Sequence, residues 1–168
     1  SAHRPYVAAF TAAGAPSTVF GPTGYRLLPY AGVGLLGRPH VAADGSIVIG
    51  AGTTGTDGTI QGIGAVRLRP DGTPDPTFSS DGLAVRKPFG YWVASGSVDV
   101  VPQSGRRLVV AGAFDVLGAG DEYKDAGALL RFTGTGGTDI SYAKGAGYLR
   151  IPTFYVGRAQ RLQDGSLV

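Results

Sequence analysis

The chain has 168 residues, 43% apolar and 16% charged, with a net charge of +3. The apolar share excludes a highly charged disordered chain, and the small, scattered positive excess argues against a nucleic-acid footprint, which needs clustered Lys and Arg. No apolar run approaches the ~20 residues of a membrane-spanning helix, and the absence of Cys removes disulfide frameworks and thiolate metal sites.

What remains is a chain of 29 Gly and 11 Pro mixed with Val, Leu, Ile, Thr and aromatics. That mixture suits many short strands joined by tight turns, so the class is all-β. The chain opens Ser-Ala-His without Met. We therefore expect either a mature secreted, periplasmic or cell-surface protein whose signal peptide has been removed, or a piece of a larger one.

In chain order, Tyr6–Phe10 alternates as a half-buried strand does, and TAAGAPSTVF at 11–20 follows it as a turn. PYAGVGLLGR is a loop carrying Tyr30. A short strand near Pro39–Ala42 leads into the Asp44-Gly45 turn, and Ile47–Ala51 is an apolar run of the kind buried strands show. After the loop GTTGTDGTIQG come a third strand, Gly64–Leu68, the turn RPDGTPDPTF at 69–78, and a fourth strand, Leu83–Arg86. The loop KPFGYWVASG then introduces a second set: Val98–Pro102, a Ser104-Gly105 turn, Leu108–Ala111, the loop GAFDVLGAGDEYKDAG, Ala128–Phe132, TGTGGTDISY at 133–142, and Tyr148–Ile151. PTFYVGR leads to a last Asp164-Gly165 turn, with Arg161 where Val41 and Val101 stand earlier, so the last strand is expected at an edge or facing solvent.

These elements repeat. Gly45, Gly105 and Gly165 are 60 residues apart, and Gly52 and Gly112 follow the first two by seven. Phe10, Leu68 and Phe132 each precede a Gly (Gly14, Gly72, Gly136) by four positions, and an aromatic (Phe20, Phe78, Tyr142) follows that Gly by six, at separations of 58 and 64. Self-similarity at such a period marks an array in which each unit buries its apolar face against its neighbours. The recurring aromatic is expected to plug the gap between units.

The segment GAVRLRPDGTPDPTFSSDG, followed by the DGSIVIGAG type of segment, resembles the bacterial delta-60 repeat pattern ALAxLxxDGxxDxxFxxxG. The resemblance covers nearly the whole chain and is strongest in residues 64–82 and 40–52. The first copy has Ala-Gly-Ala-Pro in place of the Asp-Gly turn, and the third has Thr-Gly-Gly-Thr-Asp. The resemblance implies β-propeller blades in a secreted or surface protein, without an assigned activity. It implies a single incomplete array: a half blade over 1–37, blades over 38–96 and 97–157, and a half blade over 158–168. That is about three blades' worth of strands. Propellers close with roughly four to eight blades, so the remaining partners are other blades, on another chain or a second copy; the reading favours a fragment of a larger propeller.

Antiparallel connectivity sends the short, similar turns to one face and the variable loops to the other, where binding usually resides. The variable face collects Tyr30, Phe89, Tyr91, Trp92, Phe114, Tyr123, Phe154 and Tyr155. Of these, Tyr30, Phe89, Tyr91, Trp92, Tyr123, Phe154 and Tyr155 are the candidate ligand-binding residues, because aromatic rings offer apolar faces with polar tips to a sugar or a protein. The same rings equally suit packing between units.

Asp115, Asp121, Glu122 and Asp125 form the best cation candidate, with Ca²⁺ as the ion such oxygen ligands would hold, although their spacing matches no EF-hand and a solvated loop is the plainer reading. Asp71 and Asp75 fit turn roles better. No cofactor is required. His3 and His40 have no partner in a recognised catalytic motif, and Ser1 is explained more simply by signal cleavage than as an N-terminal nucleophile. The leading expectation is a binding or scaffold module recognising a glycan or protein. The alternative is part of a hydrolase whose catalytic residues lie on missing blades or on a partner chain.

Overall fold

The computed structural model describes residues 4–35, 37–54, 60–87, 98–117, 123–152, 159–163 and 166–167, of which 35, 54, 60–61, 113–117, 123–126 and 152 are described by backbone alone. Three antiparallel sheets follow one another along the chain. In the first, β1 (Tyr6–Ala8) pairs with β2 (Tyr25–Leu27). The second contains β3 (Val33–Leu35), β4 (His40–Val41), β5 (Ile47–Thr54), β6 (Ile60–Leu68) and β7 (Leu83–Arg86), with β3 and β4 both pairing with β5. The third runs β8 (Val98–Pro102), β9 (Leu108–Leu117), β10 (Tyr123–Phe132), β11 (Tyr148–Pro152), each strand paired with its sequence neighbour. Among the described residues, no helix is long and apolar enough to cross a membrane.

Register shows that the sheets are repeats of one design. Ala8 pairs with Tyr25, Val66 with Leu83 and Leu130 with Tyr148. Beyond these pairs, isolated bridges join Phe10 to Pro16, Leu68 to Pro74 and Phe132 to Thr138. The turn between the third and fourth strands is built the same way each time. The amide of Thr11, Arg69 or Thr133 donates to the carbonyl of the residue four ahead, and the amide of Gly14, Gly72 or Gly136 donates back. Those glycines have φ of +82°, +78° and +84°, a region that costs residues with a Cβ roughly 1–2 kcal/mol.

Packing between sheets follows from strand alternation. One cluster joins the second and third sheets: Val48, Ile63, Ala65, Phe78 and Ala84 meet Val98, Val100, Leu108, Val110, Leu130 and Phe132. A second joins the first and second, with Leu28 and Val7 against Ile49, Val66 and Leu68. The recurring aromatic does bridge units. The Phe78 ring meets Phe132 edge-on at 6.4 Å, and Phe20 lies so close to Gly72 that a Cβ there would stand 2.9 Å from the ring.

The structure departs from the sequence reading in two respects. The segment 29–38 is not all loop, because Val33–Leu35 adds to the edge of β5, opposite Thr53 to Ala51. The loops between second and third strands are also shorter than their Gly content suggests. β5 continues to Thr54, while β9 and β10 pair without interruption from Leu108↔Phe132 out to Leu117↔Tyr123. Gly112 and Gly127 are tolerated inside these strands because the ladder bonds on both sides hold the backbone extended.

Candidate functional site

Two ends of the sheets have distinct chemistry. At the loop end, β9 and β10 pair out to Leu117↔Tyr123; among the described residues, β8 pairs with β9 as far as Gly112 and β11 with β10 as far as Ala126. Asp115 and Asp125 are direct register partners near the loop end of this ladder. Phe89, Tyr91, Trp92, Phe154, Tyr155, Asp121 and Glu122 lie outside the described residues, so the structure brings no set of these candidates together. Among the described residues, no three His, Asp or Glu side chains group as a metal site. Tyr30 is a core residue, 5% exposed, and its hydroxyl donates to the Asp81 carbonyl at 2.5 Å. Burial, with Asp81 adding to it, pushes its phenol well above the usual range.

At the turn end lies an arginine–aspartate network that sequence reading did not find. Asp44, Asp71, Asp75 and Asp139 each accept bonds from the amide and hydroxyl two residues ahead (Ser46, Thr73, Thr77, Ser141), which fixes their turns. The second oxygens of Asp44, Asp75 and Asp139 accept from arginines. Arg67, on β6 and only 1% exposed, donates through Nε to Asp75 at 2.9 Å and through Nη2 to the Gly134 carbonyl of the third sheet at 2.7 Å. Its guanidinium lies 4.5 Å over the Phe78 ring.

Arg106, on the turn between β8 and β9, reaches back to Asp44 and Asp75, both at 2.9 Å. Arg131 and Arg107 share Asp139 at 2.8 and 3.1 Å, and Arg131 lies 4.7 Å over Tyr142. The Arg–Asp–aromatic unit therefore occurs twice. In the first copy Ala9 and Ser17 take the Arg and Asp places, and only the backbone bond between them survives. Burial raises the Asp75 carboxyl, but bonds from Thr77 and Arg67 outweigh it and hold the group below the usual carboxylate range. For Asp139 the Ser141 hydroxyl is the largest influence, and the result is again a lowered carboxyl.

A third buried acid, Asp99, ties consecutive units where their first strands meet. It accepts from the Val100 and Ala159 amides and lies 3.1 Å from His40 Nε2. Burial works against its ionisation, and these bonds prevail. The 59-residue separation explains why His40 had no visible carboxylate neighbour in the sequence. No nucleophilic side chain joins this pair among the described residues.

Between the turns of the second and third sheets opens a cleft of about 510 Å³, lined by Asp44, Val48, Gln103, Arg106, Arg107 and Arg161 among others.

A family model described as a domain of unknown function (DUF5122) beta-propeller matches residues 42–78. The fold is of the β-propeller type. The matched stretch runs from the Asp44 turn through β5 and β6 to Phe78, and so contains the strand-turn-aromatic unit that the third sheet repeats. No curated protein and no solved structure matches the chain.

One surface departs from the repeat. Tyr6, Phe10, Tyr25 and Leu27, on one face of β1 and β2, are exposed. By register Phe10 corresponds to Leu68 and Phe132, which are 0% and 1% exposed under the preceding sheet, whereas Phe10 is 66% exposed.

Proposed function

We propose that this β-propeller chain is a non-catalytic binding or scaffold module of the delta-60 repeat type, working outside the cytoplasm and recognising a glycan or a protein through its loop end. The observation that carries this reading is the β9–β10 ladder, which pairs without interruption from Leu108↔Phe132 to Leu117↔Tyr123 and has Tyr123, Asp115 and Asp125 at its loop end. A continuous ladder that carries a variable loop suits recognition, because the scaffold meets the ordering cost of the site in advance. At the opposite end, Arg67, Arg106 and Arg131 are engaged in ion pairs with Asp44, Asp75 and Asp139.

The neighbouring aromatics Tyr91 and Trp92 belong to the same end in the repeat scheme. Their substitution tests the proposal: Tyr91→Ala with Trp92→Ala should abolish or weaken binding at least ~10-fold on a glycan array or in pull-down of surface proteins, as expected for aromatic anchors. A ligand bound equally well by wild type and variant would remove the loop end from consideration.

The exposed face of β1 and β2 supports a second element of the reading. Its natural cover is another sheet of the same repeat, since a preceding sheet is what covers the equivalent residues in the second and third sheets.

A further inference from the structure

The cleft at the turn end has a charge imbalance that the folding of the turns does not use up. Its lining contains four guanidinium groups, Arg67, Arg106, Arg107 and Arg161, against one carboxylate, Asp44. Counting the acids behind the wall does not restore balance. Asp75 is shared by Arg67 and Arg106, and Asp139 by Arg131 and Arg107. Among the described residues, five arginines therefore meet three aspartates.

The arginines are not equivalent. Arg67 is enclosed, and all three of its guanidinium nitrogens are engaged. Arg106 is likewise fixed, through Asp44, Asp75 and Thr77. Arg107 differs: its Nε faces Asp139 while its side chain stays 46% exposed, and its two terminal nitrogens have no partner among the described residues. Arg161 is exposed and its side chain has none there either. Both residues line one opening, beside Gln103 and the apolar wall of Val41, Pro102 and Leu108.

The geometry points to this cleft as a binding site for a tetrahedral oxyanion carried on a small organic skeleton, a phosphate monoester with close to two charges at neutral pH or a sulfate ester with one. Paired guanidinium forks match the oxygens of such a group, and Arg remains charged at any accessible pH. The apolar wall accommodates the carbon portion. The site is separate from the loop end and does not depend on it, because β5 and β9 begin at the cleft and run toward the loops.

The test uses the intact chain with sodium sulfate, phenyl phosphate and phenyl sulfate as probes, each titrated by calorimetry against sodium chloride of equal ionic strength. Saturable binding near ~1 mM or tighter, stronger for the phenyl esters than for sulfate, is expected. Phosphate and sulfate esters compared side by side show which source the site prefers. Arg161→Gln leaves the folded network untouched and should weaken binding at least ~5-fold. Asp44→Asn removes the one carboxylate of the wall and should tighten it ~3-fold, an effect a purely structural network would not give. Heat signals that follow ionic strength alone would overturn the proposal, as would affinities unchanged in Arg161→Gln.

Discussion

Replacing Arg67 by Ala tests whether one buried guanidinium bolts the second sheet to the third. The group makes a charge-assisted bond to Asp75 at 2.9 Å, a bond to the Gly134 carbonyl at 2.7 Å, and two longer contacts at 3.4 Å to Thr77 and the Arg106 carbonyl. Its loss would leave the Gly134 carbonyl without this donor and the ring of Phe78 uncovered. Removing one partner of a buried ion pair costs about 3–5 kcal/mol. Asp75 keeps Arg106 and its turn bonds, so the lower end, about 3 kcal/mol, is expected. That is a large share of the 5–15 kcal/mol typical of a folded domain.

Arg131→Ala is the internal comparison. Arg131 occupies the same place in the third sheet but is 21% exposed, and Asp139 keeps Arg107; about 1 kcal/mol is expected there. Urea unfolding followed by tryptophan fluorescence and circular dichroism, with m unchanged, gives both values. A loss below about 1 kcal/mol for Arg67→Ala, or equal losses for the two variants, would refute the bolt.

Two further outcomes follow from the repeat. Gly14→Ala and Gly72→Ala share a positive φ, but a Cβ at Gly14 meets nothing within 4 Å while one at Gly72 strikes the Phe20 ring. The first should cost about 1 kcal/mol and the second at least ~1 kcal/mol more, compared by the same urea titration. If the exposed face of β1 and β2 accepts another sheet, Phe10→Ser with Leu27→Ser should reduce association in sedimentation velocity, with circular dichroism unchanged; identical association constants would argue against that partner.

Much of the fold was legible because strand alternation and turn chemistry are local. The positions of β7, β8 and most of β11, and the latter half of β6, follow from short apolar runs bounded by Gly, Asp and Pro, and the near-even spacing of Phe10, Leu68 and Phe132 makes the repeat visible. What escaped was non-local. Arg67 sits in Val-Arg-Leu, where alternation suggests a solvent-facing charge, yet it is buried because its acceptor lies 67 residues away on the next sheet. The extension of β9 and β10 was hidden by glycines, since ladder bonds override a weak intrinsic preference. Tyr30 read as a loop aromatic because nothing nearby in sequence shows that Asp81 waits for its hydroxyl.

Asp99 has a mechanical consequence. By gripping His40 of β4 on one side and the Ala159 amide on the other, a single carboxylate on β8 staples three successive stretches of chain along one seam. Toward the outer strands the ties are arginines, Arg67 to the Gly134 carbonyl and Arg86 to Thr138, whose charge persists in acid. Acidification, by neutralising the Asp99 carboxylate, would therefore slacken the inner seam while these outer ties hold.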